Sequence, residues 1–316
     1  MKSMQFKAFG GLDQLRRVEA PAQLPGSQQI QVAVAATSIN PIDWKLRGGM
    51  LRWVVGMLGL PATPCFDFAG EVQAVGTAVE GFKPGDRVFG MLPLKGSGAA
   101  AEVLAVDAIH AALMPAALDY AEAAGLPLAG MTALQALRDQ GGLRAGQRVL
   151  VIGAAGGVGH YAVQIAKAME AHVTGVCGTR NVDLVRSLGA DEVIDYTRDD
   201  PLKANAQFDV ILDGVMNQPF SRWRALLSES GVYVALVPKP DLLLHALTLP
   251  MHARQRLRIT TLKPSRSDLS YVADLAQRGL LRTVIDSVHP LEELAAALRK
   301  SQTGRARGKI IVTVRA

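Results

Sequence analysis

Cysteine is scarce in this chain: Cys65 and Cys177 are the only two among 316 residues, and they lie far apart in the sequence. Two thiols cannot build a disulfide framework, nor can they supply the lobe of four closely spaced cysteines that holds a structural zinc ion. We therefore predict a protein of a reducing compartment.

Long apolar runs are also missing. No segment approaches the ~20 apolar residues of a membrane span, and the first residues, MKSMQFKAFGG, lack the continuous apolar centre of a signal peptide. The segments DLLLHALTLP and LRWVVGMLGLPATP are apolar but too short to cross a bilayer. We expect a cytoplasmic protein with no membrane partner.

Charge is modest and dispersed: the net charge is +6, from 34 basic and 28 acidic residues. The densest basic segment, HARQRLRITTLKPSR from His252 to Arg266, has no interleaved aromatic residues, which argues against a nucleic acid partner. We expect it to form a solvated helix face. A hydrophobic fraction of 49% is typical of a soluble globular protein, and the length suggests two domains.

The most informative segment is VLVIGAAGGVGHYAVQIAKAME, from Val149 to Glu170. Its start is apolar and rich in β-branched residues without alternation, as in a central parallel strand covered on both faces. After the glycines, apolar residues return at helical spacing. The pattern predicts a strand, a tight turn and an amphipathic helix.

The turn resembles the G-x-G-x-x-G motif of dinucleotide-binding proteins, with Ala154 in place of the first glycine. Gly156 lets the backbone approach a pyrophosphate, and Gly159 lets helix and strand pack closely. The alternative is a glycine-rich turn that holds no ligand. The candidate cofactor-binding residues here are Ala155, Gly156, Gly157 and Val158.

The next strand, HVTGVCGTRN, bears on the choice of cofactor. NAD sites place a carboxylate at its end to bind the ribose 2′-hydroxyl. Here the strand ends in Gly178, Thr179 and Arg180, and no carboxylate occurs before Asp183. Short polar side chains and an arginine suit the 2′-phosphate of NADPH. We predict NADP(H) as the cofactor; the alternative is that Arg180 caps a solvated loop.

The pattern of predicted secondary structure changes near residue 120. Short alternating strands with turn residues between them, such as QIQVAVAATSIN, AGEVQAVG and GDRVFGM, predict a barrel-like β domain before that point. Afterwards strands alternate with helices, which is the signature of a doubly wound parallel sheet in an α/β protein. We predict a catalytic domain over residues 1–120, completed by residues 256–316, and a cofactor-binding domain over residues 121–255.

Six motifs together resemble the zinc-independent quinone oxidoreductase branch of the medium-chain dehydrogenase/reductase superfamily, and the resemblance covers nearly the whole chain. They are TSINPIDWKLRGG, PCFDFAGEVQAVGTAVEGFKPGDRVFG, AGMTALQAL, VLVIGAAGGVGHYAVQIAK, LGADEVIDY and GKIIVTV. The resemblance implies a GroES-like β-barrel catalytic domain, a Rossmann domain, and an active site in the cleft between them. It also implies a homodimer joined through the edge of the Rossmann sheet.

Zinc-dependent relatives in this superfamily carry a cysteine near the position of Asn40 and Pro41, and Gly-His-Glu where this chain has Cys65-Phe66-Asp67. Phenylalanine cannot ligate zinc, and a catalytic zinc site needs three protein ligands. We predict no metal.

Without a metal, alcohol oxidation is hard to support because nothing stabilises the alkoxide. Reduction of a quinone or an α,β-unsaturated carbonyl needs only hydrogen-bond donors and a proton from water. We predict an NADPH-dependent reductase of a small hydrophobic quinone or enone. Two alternatives stay open: a zinc-free carbonyl or alcohol oxidoreductase, and an NADPH-binding regulatory or adaptor protein without turnover.

By resemblance, Asn40 and Lys45 are the candidate catalytic residues, although Lys45 is equally explained as a surface lysine. The resemblance further implies cofactor contacts for residues that packing alone would also explain: Thr132, Tyr196, Leu236, Val237 and Lys309. The apolar segment from Gly48 to Pro64 either packs on the barrel or forms the wall of a substrate pocket. The candidate pocket residues are Trp44, Trp53 and Met57.

Overall fold

The computed structural model describes residues 1–45, 63–94, 98–237, 239, 242 and 254–315. Contacts divide the chain into two compact units. The first consists of Met1–Ala129 and Pro264–Ala316, and the second of Gly130–Lys263. The boundaries predicted from the sequence lie at residues 120 and 256.

The secondary structure of the described residues is as follows. The strands are β1 (Lys2–Phe6), β2 (Leu15–Glu19), β3 (Gln29–Ile39), β4 (Asp67–Val75), β5 (Arg87–Met91), β6 (Val103–Asp107), β7 (Ala111–Leu113), β8 (Arg148–Ile152), β9 (His172–Cys177), β10 (Glu192–Asp195), β11 (Phe208–Asp213), β12 (Leu227–Ala235), β13 (Arg256–Ile259), β14 (Ile285–Pro290) and β15 (Lys309–Thr313). The α-helices are α1 (Ile42–Lys45), α2 (Tyr120–Gly125), α3 (Pro127–Gln135), α4 (Gly159–Ala168), α5 (Val182–Ser187), α6 (Phe220–Trp223), α7 (Arg266–Gln277) and α8 (Leu294–Gln302). None of these helices is long and apolar enough to cross a membrane.

The first unit is built on a sheet with the order β14-β15-β3-β4-β5-β7, and β6 also pairs with β3. The last strand of the chain returns to this sheet, as its sequence pattern predicts: β15 lies antiparallel to β3, with Ile310 opposite Ile39. β4 lies antiparallel to β3 on the other side, with Ala69 opposite Ala36. This pairing brings the end of β3 next to the first residues of β4 and β15.

The first turn of α3 contributes to the same region. Pro127 occupies its first position, where a missing N–H costs no helical hydrogen bond. Leu128 follows it, among the first backbone donors of the helix, which bond to groups outside the helix. Its N–H donates to the carboxylate of Asp67 at the start of β4, at 2.8 Å.

The second unit contains a six-stranded sheet with the order β10-β9-β8-β11-β12-β13, and every pairing in it is parallel. This is the strand order of a dinucleotide-binding doubly wound sheet, so the predicted α/β fold class is confirmed. β8 lies at the centre of the sheet with its apolar residues buried, as the sequence predicts. Ligands of such sheets bind at the carboxyl ends of the strands, where the strand order reverses.

The basic segment around β13 differs from the prediction. We expected a solvated helix face, but Arg256–Ile259 is a strand at the edge of the parallel sheet. The reason lies in its alternation: Leu257 is buried and the arginines on either side of it are exposed.

Candidate active site

The glycine turn of the second unit has the geometry of a nucleotide cradle. Gly153, directly after β8, has φ +81°, a conformation that favours glycine. The turn closes with a hydrogen bond from the N–H of Gly156 to the carbonyl of Gly153 at 2.9 Å. A Cβ on Gly159 would lie 2.1 Å from that same carbonyl oxygen, so only glycine lets α4 begin so close to the turn.

The structure explains why alanine is tolerated at the first motif position. The backbone conformation that needs glycine falls on Gly153 and not on Ala154. Ala154 is fully buried, and its side chain faces Gly175 of β9, where an added Cβ would lie 3.1 Å away. Among the candidate residues, Ala155 is almost completely buried, whereas Gly156, Gly157 and Val158 are partly exposed and open to a ligand.

The predicted cofactor residues after β9 lie next to this cradle, because Ile152 of β8 is the register partner of Val176 of β9. Gly178 is partly buried, and Thr179 and Arg180 are exposed. Tyr196 is 62% exposed, and a Cβ on Gly178 would lie 3.2 Å from its hydroxyl. The structure therefore brings these four predicted residues together.

A carboxylate that the sequence analysis missed lies in the same place. Asp195, the last residue of β10, is the register partner of Cys177 at the end of β9. Its carboxylate accepts a hydrogen bond from the hydroxyl of Thr179 at 2.6 Å and others from the N–H and hydroxyl of Thr197. The prediction considered only the residues directly after β9, up to Asp183, whereas parallel pairing supplies an acid from the end of the neighbouring strand.

The other cofactor candidates of the second unit lie on different elements. Leu236 and Val237 follow β12, whose last residue, Ala235, is the register partner of Asp213 at the end of β11. Val237 is 37% exposed, whereas a residue that only packs in the core at the end of a strand would be buried. Thr132 is 9% exposed, within α3.

The first unit holds a buried polar cluster centred on Asp67, which is completely buried. The Asp67 carboxylate accepts hydrogen bonds from the Ser38 hydroxyl at 2.5 Å, the Asn40 amide at 2.7 Å and the Leu128 N–H at 2.8 Å. Burial raises the pKa of Asp67, and the nearby Lys309 ammonium opposes that rise.

Lys309 is the cation of this cluster. Its ammonium is 3.6 Å from the Asp67 carboxylate and donates to the Asn40 side-chain oxygen at 2.7 Å, and the residue is 2% exposed. Burial lowers the pKa of Lys309, while the neighbouring acids raise it. The cofactor contact implied for Lys309 by resemblance stays a prediction; the partners it has in the structure are internal.

A second buried acid, Asp43, joins the two segments that lead into this cluster. Its carboxylate accepts the N–H of Asn40 at 2.6 Å and the N–H of Cys65 at 3.1 Å. Burial raises the pKa of Asp43 to about 7. Cys65 has φ +70°, unusual for a residue with a side chain, and burial raises the pKa of its thiol well above the ordinary value. The Cys65 thiol is therefore protonated and unreactive at neutral pH.

The remaining candidates of the first unit lie on or near α1. Lys45 is exposed, with its ammonium 5.6 Å from the ring of Trp44. The Trp44 indole N–H donates to the Ser301 hydroxyl of α8 at 3.1 Å, which fixes the ring against the C-terminal helix. The predicted pocket residues Trp53 and Met57 lie outside the described residues.

The side chains around Asp67 bear on the prediction that the chain binds no metal. No group of three or more His, Cys, Asp or Glu side chains within the described part of the chain is arranged to hold a metal ion. At the relevant positions, Phe66 has no ligating atom, and the Asp67 carboxylate is surrounded by hydrogen-bond donors from three segments.

Comparisons with known proteins give a consistent result. Residues 26–116 match the alcohol dehydrogenase GroES-like domain, and residues 188–312 match a family described as zinc-binding dehydrogenase. The chain is 39% identical to a chloroplast envelope quinone oxidoreductase homolog of Arabidopsis thaliana, over 99% of this chain and 98% of that protein. It is 34% identical to a trans-enoyl reductase of Aspergillus terreus, over 99% and 96%. The solved structure of the quinone oxidoreductase from Coxiella burnetii superimposes with a TM-score of 0.90 at 30% identity, covering 100% of this chain and 99% of that one.

Proposed function

This chain belongs to the quinone oxidoreductase branch of the medium-chain dehydrogenase/reductase superfamily, and from that premise we propose that it is a zinc-independent, NADPH-dependent reductase of quinones or α,β-unsaturated carbonyl compounds. It is an oxidoreductase that uses a nicotinamide cofactor. The choice of NADPH, the absence of zinc and the class of acceptor are the proposed parts.

The chemistry of the buried cluster carries the proposal. The Asp67 carboxylate already accepts three hydrogen bonds and lies beside the Lys309 ammonium, so a divalent cation there would face a fixed positive charge. The neighbouring Phe66 has no ligating atom, although a catalytic zinc site needs three protein ligands. These residues favour a reaction without a Lewis acid.

The residues of the second unit fit a dinucleotide. Gly156, Gly157 and Val158 offer a partly exposed turn at the carboxyl end of β8, and a side chain at Gly159 would clash with that turn. We assign the pyrophosphate to Ala155–Val158 and the adenosine phosphate to the residues from Gly178 to Arg180 and to Tyr196. When bound, the nicotinamide supplies the hydride.

The first unit supplies orientation of the acceptor. The Asn40 side-chain amide gives one N–H to Asp67, and its oxygen accepts from Lys309, so its orientation is fixed. Its second N–H makes no hydrogen bond with any described residue, and we assign it to the acceptor oxygen, where negative charge develops during reduction. Donation by one fixed amide is enough for a conjugated acceptor, because its enolate or hydroquinone anion is far more stable than an alkoxide.

Several finer assignments belong to the same proposal. We place the enzyme in the cytoplasm as a homodimer acting on a small hydrophobic acceptor, with Trp44, Trp53 and Met57 at the substrate pocket. Leu236, Val237 and Thr132 are assigned to the nicotinamide half of the cofactor.

The first experiment is a turnover panel with protein freed of metal by chelation. Oxidation of NADPH is followed with a quinone, an alkenal, a cyclic enone and a simple aldehyde, with NADH as the cofactor control. We expect turnover of the quinone or the enones with NADPH, none of the aldehyde, and no gain on adding zinc. Activity that requires added zinc would contradict the metal-free mechanism.

Two variants separate the roles of Asn40 and Lys45. Loss of one fixed donor to a developing anion costs roughly 100-fold in turnover, which is the expected effect of Asn40→Ala. Lys45→Ala is the control from the same segment; unchanged turnover would remove Lys45 from the mechanism. Thermal melting shows whether each variant is folded. An Asn40→Ala protein that melts normally and retains full turnover would contradict the assignment of Asn40.

A further inference from the structure

The carboxyl ends of β9 and β10 gather charges of both signs. The Asp195 carboxylate oxygen that accepts the Thr179 hydroxyl at 2.6 Å also lies 3.6 Å from the guanidinium of Arg198. The Asp195 side chain is 9% exposed and that of Arg198 is 73% exposed. The acid is therefore fixed in place, while the arginine is free to move.

Asp195 is a carboxylate throughout the neutral pH range. The hydrogen bond from Thr179 holds the pKa of Asp195 below its ordinary value, and Thr197 and Arg198 act in the same direction. A phosphate ester bound beside Thr179 would lie close to this negative charge. Like charges at such short range oppose binding, so a phosphate here needs a compensating cation.

Thr179 cannot provide the compensation. A threonine hydroxyl carries one hydrogen, and that of Thr179 is given to Asp195. Its oxygen lies 2.7 Å from the hydroxyl oxygen of Thr197, so it is already engaged within this cluster. The hydroxyl of Thr197 is likewise engaged with Asp195 at 2.7 Å.

We propose that Arg198 is a specificity-determining residue for NADPH: its guanidinium, which rests on Asp195 in this structure, binds the 2′-phosphate and neutralises the carboxylate beside it. The proposal rests on the proposed use of NADPH. Arg180 is exposed and has no ion-pair partner among the described residues, so it can approach the phosphate from solvent. Arg198 differs because it contacts the very acid that opposes the phosphate, and its planar donors can serve two anions at once.

Binding measurements test this without turnover. Dissociation constants for NADPH and NADH are measured by fluorescence titration for the wild-type protein and for Arg198→Ala. The same proteins are titrated calorimetrically with adenosine 2′,5′-bisphosphate and with adenosine 5′-monophosphate. We expect Arg198→Ala to weaken NADPH and the bisphosphate roughly tenfold, or about 1.4 kcal/mol, and to change NADH and the monophosphate less than about twofold. Arg198→Lys should fall between the two proteins.

The chain offers a closely matched control in Arg186→Ala. Arg186 is also exposed, lies in the same unit, and pairs with an acid three residues earlier, Asp183, at 3.8 Å. Equal weakening of NADPH by both alanine variants, or equal weakening of NADPH and NADH by Arg198→Ala, would overturn the role of Arg198. A wild-type protein that binds NADH at least as tightly as NADPH would instead overturn the NADPH assignment itself, and the inference with it.

Discussion

Replacing Lys309 by methionine separates the role the structure gives this residue from the cofactor contact implied by resemblance. Methionine keeps much of the length of the side chain and removes the ammonium. The Asp67 carboxylate then remains buried with its three hydrogen-bond donors but without a counterion. The Asn40 oxygen also loses its partner.

The expected cost follows from the burial of both partners. Breaking a buried ion pair by removing one member costs about 3 to 5 kcal/mol, and the donors left on Asp67 favour the lower end. For a chain of 316 residues, about 3 kcal/mol lowers the melting temperature by roughly 4 to 5 °C. The Lys309→Met, Asp67→Asn double variant should lose less than Lys309→Met alone, because no uncompensated charge remains.

The sign of the pH dependence is also determined. Burial already raises the folded-state pKa of Asp67 above its unfolded value, and loss of the ammonium raises it further. At a pH below the folded pKa of the wild type, Asp67 is protonated in both proteins. The destabilisation is therefore larger above the folded pKa of wild-type Asp67 than below it, and it shrinks as the pH falls through that value.

Scanning calorimetry at neutral and mildly acidic pH measures these effects, with the exposed Lys45→Met as the matched control. NADPH affinity is measured beside it. A Lys309→Met protein that melts within about 2 °C of the wild type but binds NADPH much more weakly would refute the structural argument and support the cofactor contact.

Three further predictions concern other parts of the molecule. Gly159→Ala places a Cβ 2.1 Å from the carbonyl oxygen of Gly153, so we expect it to lower the free energy of unfolding by at least about 2 kcal/mol. Gly156→Ala places its Cβ 3.2 Å from the same oxygen and should cost less. Equal losses of the two variants in urea unfolding would contradict this prediction. The pKa of Asp43 is about 7 in the folded state and 3.8 in the unfolded state, so between these pH values the folded protein binds one more proton at Asp43. The contribution of Asp43 to the free energy of unfolding therefore falls as the pH rises through that range, by up to about 1.4 kcal/mol per pH unit. Asp43→Asn should remove this slope, so that its stability relative to the wild type improves from mildly acidic to neutral pH; an unchanged difference in urea unfolding would refute it. Trp44→Phe removes the hydrogen bond to Ser301 and should cost about 1 kcal/mol, and Ser301→Ala in the Trp44→Phe background should add little; additive losses in thermal melting would show that the two residues do not interact.

The local patterns of the sequence determined much of the fold. The apolar run before the glycines predicted the central strand β8, the helical spacing after them predicted α4, and the alternation of strands and helices predicted the parallel sheet. These features depend on residues close together in the chain, so periodicity and turn chemistry reveal them. The glycine turn could be located for the same reason, even with Ala154 at its first position.

Only the tertiary structure decided which distant residues meet. Lys309 reaches Asn40, 269 residues earlier in the sequence, because β15 pairs with β3. No local sequence pattern distinguishes a buried lysine at the start of a strand from an exposed one. Asp195 reaches Thr179 because β10 lies beside β9, so a neighbouring strand brings an acid to the predicted cofactor residues. The periodicity of a sequence indicates which face of a helix or strand is buried. The pairing of charged side chains depends instead on strand order and register, which are set by the packing of the whole sheet.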